Sequence, residues 1–178
     1  LEISGYEPRA LQTMALGFAV GSRGADHTRS GAYEADFSDL TDRLHGSADS
    51  ARLAVETEDR AALIDSLILC KFLRGVFSDL FAESAELLAG VTGWDVTADE
   101  LRQTARRIAT AKKLFNIREG WSRAEDTLPA RFLTDSLLSG VSAGATLPRE
   151  RLDVMIAAYY AARSWGPDGS VPDSLIVD

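Results

Sequence analysis

Two stretches of the sequence place reactive side chains where chemistry could use them. The first is Asp65-Ser66-Leu67-Ile68-Leu69-Cys70-Lys71. An aspartate inside an otherwise apolar run is costly to bury as an ion, so it must reach water or accept hydrogen bonds from donors such as ligand N–H groups. A lone thiol is most simply a packing residue, yet a neighbouring cation or a metal favours the thiolate, the form that ligates metals. A regular helix through both residues would set Asp65 and Cys70 roughly 140° apart around its axis, five steps of about 100°. To meet one ligand, they need that ligand at a helix end, or a backbone that leaves the helix between them.

The second stretch runs from Ser22 to Gly31 and mixes Arg23, Asp26, His27 and Arg29 with glycines that let backbone approach a ligand. On spacing alone, one imidazole without a visible partner reads first as a structural loop histidine and second as a site residue. His45, beside Gly46 in a polar loop with no second ligand near it, has no role. Gly17, Gly21 and Gly24 lack the spacing and the preceding strand of a dinucleotide loop. The basic residues between Arg102 and Lys113 share a helix with a good apolar face in an acidic chain, which makes them a solvated or interdomain face rather than a phosphate stripe.

The elements that must hold these residues read as helices. Pro8 suits a first helical turn, Leu11, Met14, Ala15 and Phe18 follow at helical spacing, and Gly21 marks the end. Arg23 to Ser50 reads as a long, functional connection. Thr57-Glu58-Asp59 offers a cap for a second helix whose stripe of Leu63, Ile64, Leu67 and Ile68 leads to Cys70. A third helix spans Phe77 to Leu88 and stops at Gly90 and Gly93. Thr97 with Glu100 is a capping-box signature for a fourth, with Leu101, Ala105, Ile108, Ala111 and Phe115 as its apolar stripe. After breaks at Asp126–Pro129 and Gly140–Pro148, the clearest helix carries Leu152, Met155, Ile156, Tyr159 and Tyr160 and ends at Gly166-Pro167. No alternating strand pattern competes, so the expected class is all-α, an irregular domain of about five to seven helices with long functional loops.

Composition narrows the function. The chain has 178 residues, enough for one sizeable core, with 46% hydrophobic and 26% charged residues, which argues against disorder. A single domain over residues 1–178 is the expectation. Its net charge of −8 repels nucleic acid and anionic lipid. The single cysteine excludes an internal disulfide and suits a reducing, cytoplasmic compartment. No apolar run approaches the roughly 20 residues of a membrane span, and no export signal is visible, so no membrane partner is expected. Because it opens at Leu1, the sequence reads as a piece of a longer polypeptide.

Several motifs in order resemble a known family. Gly5-Tyr6-Glu7-Pro8-Arg9-Ala10, Ala15-Leu16-Gly17-Phe18-Ala19, Ser22 to His27 and Asp65 to Cys70 look like the carboxy-terminal domain of the aldehyde ferredoxin oxidoreductases. Thr92-Gly93-Trp94-Asp95, Phe115 to Gly120, Asp126 to Arg131 and Tyr159 to Arg163 continue the likeness over nearly the whole chain. The family motif usually has glycine where this sequence has Ile68, and commonly glycine after Arg163, where Ser164 stands.

The resemblance implies a three-domain subunit carrying a tungsten or molybdenum ion on two pterins beside a [4Fe-4S] cluster. It implies that Asp65 binds one pterin, that the backbone around Leu69 helps hold it, and that Arg29 contacts the cofactor. Cys70 would be the fourth cluster ligand, and His27 would handle protons near the metal, with Asp26 or another acceptor fixing its tautomer. A carboxylate suits pterin N–H donors and a thiolate suits iron–sulfur clusters. The implied activity is oxidation of a small aldehyde to an acid, with electrons passing through the cluster to ferredoxin or a similar carrier. The remaining domains of the subunit are the expected partners, with homodimerisation left open. With one cysteine, this chain alone should neither assemble a cluster nor turn over. Alternatives are a helical interaction module without cofactors and a relative acting on an aromatic acyl-CoA.

Overall fold

The structure, a computed structural model, describes residues 3–176, and every regular element in it is helical. There are five helices of nine residues or more and three short ones. The all-α expectation holds, and the differences lie in where helices begin and which faces they bury.

Helix α1 (Gln12–Val20) is buried at all nine positions and stops at Gly21. The Glu7-Pro8-Arg9 turn precedes the helix rather than opening it: Ala10 N–H and Leu11 N–H both donate to the Glu7 carbonyl. Leu11 provides no side-chain cap. The first free amides are instead satisfied from a distance, Thr13 N–H and Met14 N–H donating to the Asp36 carboxylate at 3.1 and 2.8 Å. The buried Gln12 amide donates to the Arg9, Leu44 and Thr146 carbonyls and accepts from Gly46 N–H, tying three separate loops to the start of α1.

The Arg23–Ser50 connection contains two short helices, α2 (His27–Ser30) and α3 (Tyr33–Asp36). The long helix α4 (Ala48–Ser66) begins well before Thr57. Its start is a reciprocal capping box between Ser47 and Ser50, and Thr57 sits mid-helix with its hydroxyl donating to the Ala54 carbonyl. Helix α5 (Leu80–Thr92), capped by Asp79, runs through Gly90 and ends at Gly93 in a left-handed conformation.

Helix α6 (Ala98–Arg118) starts on the expected Thr97–Glu100 box. Its core face follows steps of four through Leu101, Ala105, Ala109 and Lys113, so the second half of the expected stripe turns outward and Phe115 is 55% exposed. Lys113 belongs to the core line because its ammonium lies 3.2 Å from Asp126 Oδ2 and 2.9 Å from the centre of the Trp121 ring. Burial pulls its pKa down to about 8 against the pull of Asp126. A short α7 (Ala130–Thr134) precedes α8 (Arg149–Arg163), whose Leu152, Met155, Ile156, Tyr159 and Tyr160 are fully buried as the periodicity requires. Helix α8 ends at Ser164, before Gly166-Pro167.

The larger core joins α1 and α8 to Ala51, Ala54 and Val55 of α4, and a smaller one gathers Leu63, Ile64, Leu80, Ala85 and Leu101. A buried ion cluster locks α8 on α4. Arg163 donates to Asp59 Oδ1 and Glu58 Oε2, each at 2.6 Å, and the Tyr159 hydroxyl donates to Glu58 Oε2 at 2.5 Å.

Candidate cofactor-binding site

The site is built on the way α4 ends. Leu67 is its last half-helical residue, and Ile68 enters the left-handed region at φ +56°. Ile68 N–H donates to the Asp65 carbonyl at 3.2 Å and Leu69 N–H to the Ile64 carbonyl at 2.9 Å. These two bonds form a Schellman closure, which normally uses glycine at the left-handed position. The same closure ends α8: Ser164, at φ +60°, donates to the Ala161 carbonyl and Trp165 N–H to the Tyr160 carbonyl. Ile68 and Ser164 are the only two non-glycine residues at positive φ among those described, and each holds the position of such a closure that glycine normally takes.

The turn at Ile68 takes the backbone out of the helix between Asp65 and Cys70, one of the two ways in which both could meet one ligand. Cys70 is extended and exposed, and leads into a 3-10 turn at Lys71–Leu73. Lys71 Nζ reaches back to Asp65 Oδ1 at 2.8 Å, while Arg29 of α2 pairs with Asp65 Oδ2. Each carboxylate oxygen thus meets one cation and keeps lone-pair capacity for a further donor. Leu69 packs its side chain on the smaller core. Its N–H is used in closing α4, which leaves its carbonyl as the backbone group available to a ligand.

His27 opens α2, with its ring 5.1 Å from Tyr6 and 6.1 Å from Tyr33, centre to centre. Asp26 is not its tautomer partner. The Asp26 carboxylate caps α2, accepting from Thr28 N–H, Arg29 N–H and the Thr28 hydroxyl, and pairs with Arg23. Burial raises its pKa, but these donors outweigh it and bring it down to about 2. His45 stands exposed against Asp42 Oδ2 at 2.8 Å.

Lys112 is the residue that sequence reasoning misses, because helix periodicity alone assigns it to a solvated face. With Arg29, Ile108 and Phe115 it lines a groove of about 550 Å³. Burial chiefly, and then Arg29, lower its pKa. No hydrogen-bond or ion-pair partner for it occurs among the described residues. The signal in the sequence is the outward apolar line of Ile108, Ala111 and Phe115 beside it. Among the described residues no three His, Cys, Asp or Glu side chains converge as a metal site.

Residues 1–176 match the family model described as aldehyde ferredoxin oxidoreductase, domains 2 and 3, and the chain belongs to the aldehyde ferredoxin oxidoreductase family. Its curated relatives include the tungsten-containing aldehyde ferredoxin oxidoreductases of Pyrococcus furiosus, 33% identical over 97% of this chain, and Thermococcus kodakarensis, 31% identical over 97%. That of Pyrococcus horikoshii is 30% identical over 98%. The chain spans about 28% of the length of the first two.

Proposed function

We propose that this chain is the single-domain, helical cofactor-binding part of a cytoplasmic tungsten- or molybdenum-dependent oxidoreductase that converts a small aldehyde to its acid. When bound, the metal bis-pterin would supply two-electron oxidation of the substrate, and the [4Fe-4S] cluster would export the electrons singly to ferredoxin or a similar carrier. The observation that carries the reading is the left-handed turn at Ile68, which sets an exposed thiol and an open, doubly paired carboxylate at one helix end.

The residues present fit these groups. Asp65 retains acceptor capacity for pterin N–H donors, and the Leu69 carbonyl offers another acceptor beside it. Arg29 fixes the Asp65 carboxylate through one nitrogen and keeps further donors for the cofactor. Cys70, exposed and outside the core, would supply one cluster thiolate, with three from other domains of the subunit. A ring nitrogen of His27 would accept the proton released at the substrate. The isolated chain would be folded, colourless and inactive.

The test is made in the full-length enzyme. Cys70→Ser should lower cluster iron and its visible absorption while pterin remains, because oxygen is a harder and poorer cluster ligand. Asp65→Asn should lower pterin content while the cluster remains. Wild-type iron, pterin and turnover in both variants would overturn the assignment.

A further inference from the structure

A second groove lies on another flank of α4, where Arg60 stands about 140° around the axis from Asp65. It has a volume of about 470 Å³, within the size range of small-ligand clefts, and is walled by α4, α5, α6 and the end of α8. Four arginines line it, Arg52, Arg60, Arg102 and Arg106, against two acids, Glu56 and Asp59. That excess is unexpected on a chain of net charge −8.

Local pairing leaves two of the four uncompensated. Glu56 is engaged by Arg52 at 2.5 Å, and Asp59 by Arg163 at 2.6 Å. Arg102 pairs with Asp99 at 2.8 Å and Asp79 at 3.3 Å while its guanidinium lies over the Phe81 ring. Arg60 and Arg106 have no carboxylate within ion-pair distance among the described residues. Each makes one hydrogen bond, to a main-chain carbonyl: Arg60 Nη2 to Arg74 at 3.2 Å and Arg106 Nη2 to Ala162 at 2.7 Å. A guanidinium carries five N–H donors in a planar fork, so most of the donors of both remain unmet by protein. Val55, Phe81 and Ala162 add an apolar part to the lining, and Val55 is 5% exposed.

We propose that this groove binds a small organic anion, a carboxylate on an aryl or short alkyl body. Arg60 and Arg106 hold the head by charge-assisted, fork-type hydrogen bonds, and Phe81 and Val55 take the body. The site shares no lining residue with the Asp65–Cys70 turn and does not depend on the cofactor reading.

The experiment is calorimetric titration of the full-length protein with phenylacetate, compared with acetate, which lacks the body, and 2-phenylethanol, which lacks the charge. Phenylacetate should bind saturably, and both comparators about tenfold or more weaker. Arg60→Gln and Arg106→Gln should each weaken phenylacetate about tenfold, the usual scale for losing one charge-assisted contact. Arg106→Lys, which keeps the charge and can still reach the Ala162 carbonyl, should fall between and serves if Arg106→Gln does not fold. No saturable binding, equal binding of 2-phenylethanol, or binding indifferent to the arginine substitutions would overturn the proposal.

Discussion

Lys71 reaches back over the end of α4 to set its ammonium 2.8 Å from Asp65 Oδ1, so the chain beyond Cys70 is tied to the helix it has just left. The tie and the left-handed turn at Ile68 together fix the path that exposes the thiol. Neither depends on packing of the Cys70 side chain, which is exposed.

Ile68 is a β-branched residue in a left-handed conformation, and its side chain contributes almost no burial at 92% exposure. Ile68→Gly should therefore stabilise the protein by about 1 kcal/mol, the relief of left-handed strain less the added freedom of the unfolded chain. Ser164→Gly should act in the same direction and by less. Denaturant midpoints measure both, and a loss of stability in Ile68→Gly would show that the turn is held by something other than backbone preference.

Arg163 is 3% exposed and paired with two carboxylates. Arg163→Ala leaves Glu58 and Asp59 without their main counter-charge and should cost about 3–5 kcal/mol, the usual penalty for breaking a buried pair from one side. Equilibrium unfolding gives the number. A cost below about 1 kcal/mol, the exposed-pair range, would mean that water compensates the acids.

Asp36 caps α1 from a buried position, and burial raises its pKa to about 6 against the two amides that donate to it. A carboxyl whose folded pKa lies above its unfolded value binds its proton more tightly in the folded state. Its contribution is full below about pH 4 and is lost as pH rises through about 6. The stability difference between wild type and Asp36→Asn should shift against wild type by up to about 3 kcal/mol from pH 4 to pH 7. A difference independent of pH would refute the raised pKa.

His27→Asn in the full-length enzyme should lower turnover about 100-fold, the common size of a general-base contribution, with metal and iron retained. The His27 ring packs near Tyr6, so a scaffolding role is the specific competitor. Lost cofactor with normal turnover per bound metal would assign it there.

What the sequence reveals about this fold is whatever depends on near neighbours. The stripe of α8 and the Thr97–Glu100 box are local, and both appear where spacing puts them. The start of α4 escapes because a Ser47–Ser50 box resembles a serine-rich loop, whereas Thr57 with two acids imitates a cap. Lys113 escapes because only tertiary folding brings Asp126 to it. At the site, helix geometry leaves Asp65 and Cys70 two ways to meet one ligand, at a helix end or across a break between them, and the structure has the break. The pairing of Arg29 with Asp65 links residues far apart in the chain and leaves no periodic trace. Lys112 is hidden for a similar reason, since the groove that half-buries it is formed partly by the Ser22–Arg29 segment.

The start of α1 is completed by Asp36, Leu44, Gly46 and Thr146, all later in the chain. A ribosome therefore delivers a wholly core-destined helix before these four partners of its first turn. Until Asp36 emerges, those amides lack its carboxylate, and until α4 and α8 emerge the apolar sides lack the helices that cover them in the folded chain. The bonds around Gln12 thus act as a late latch that closes when the Thr146 loop arrives.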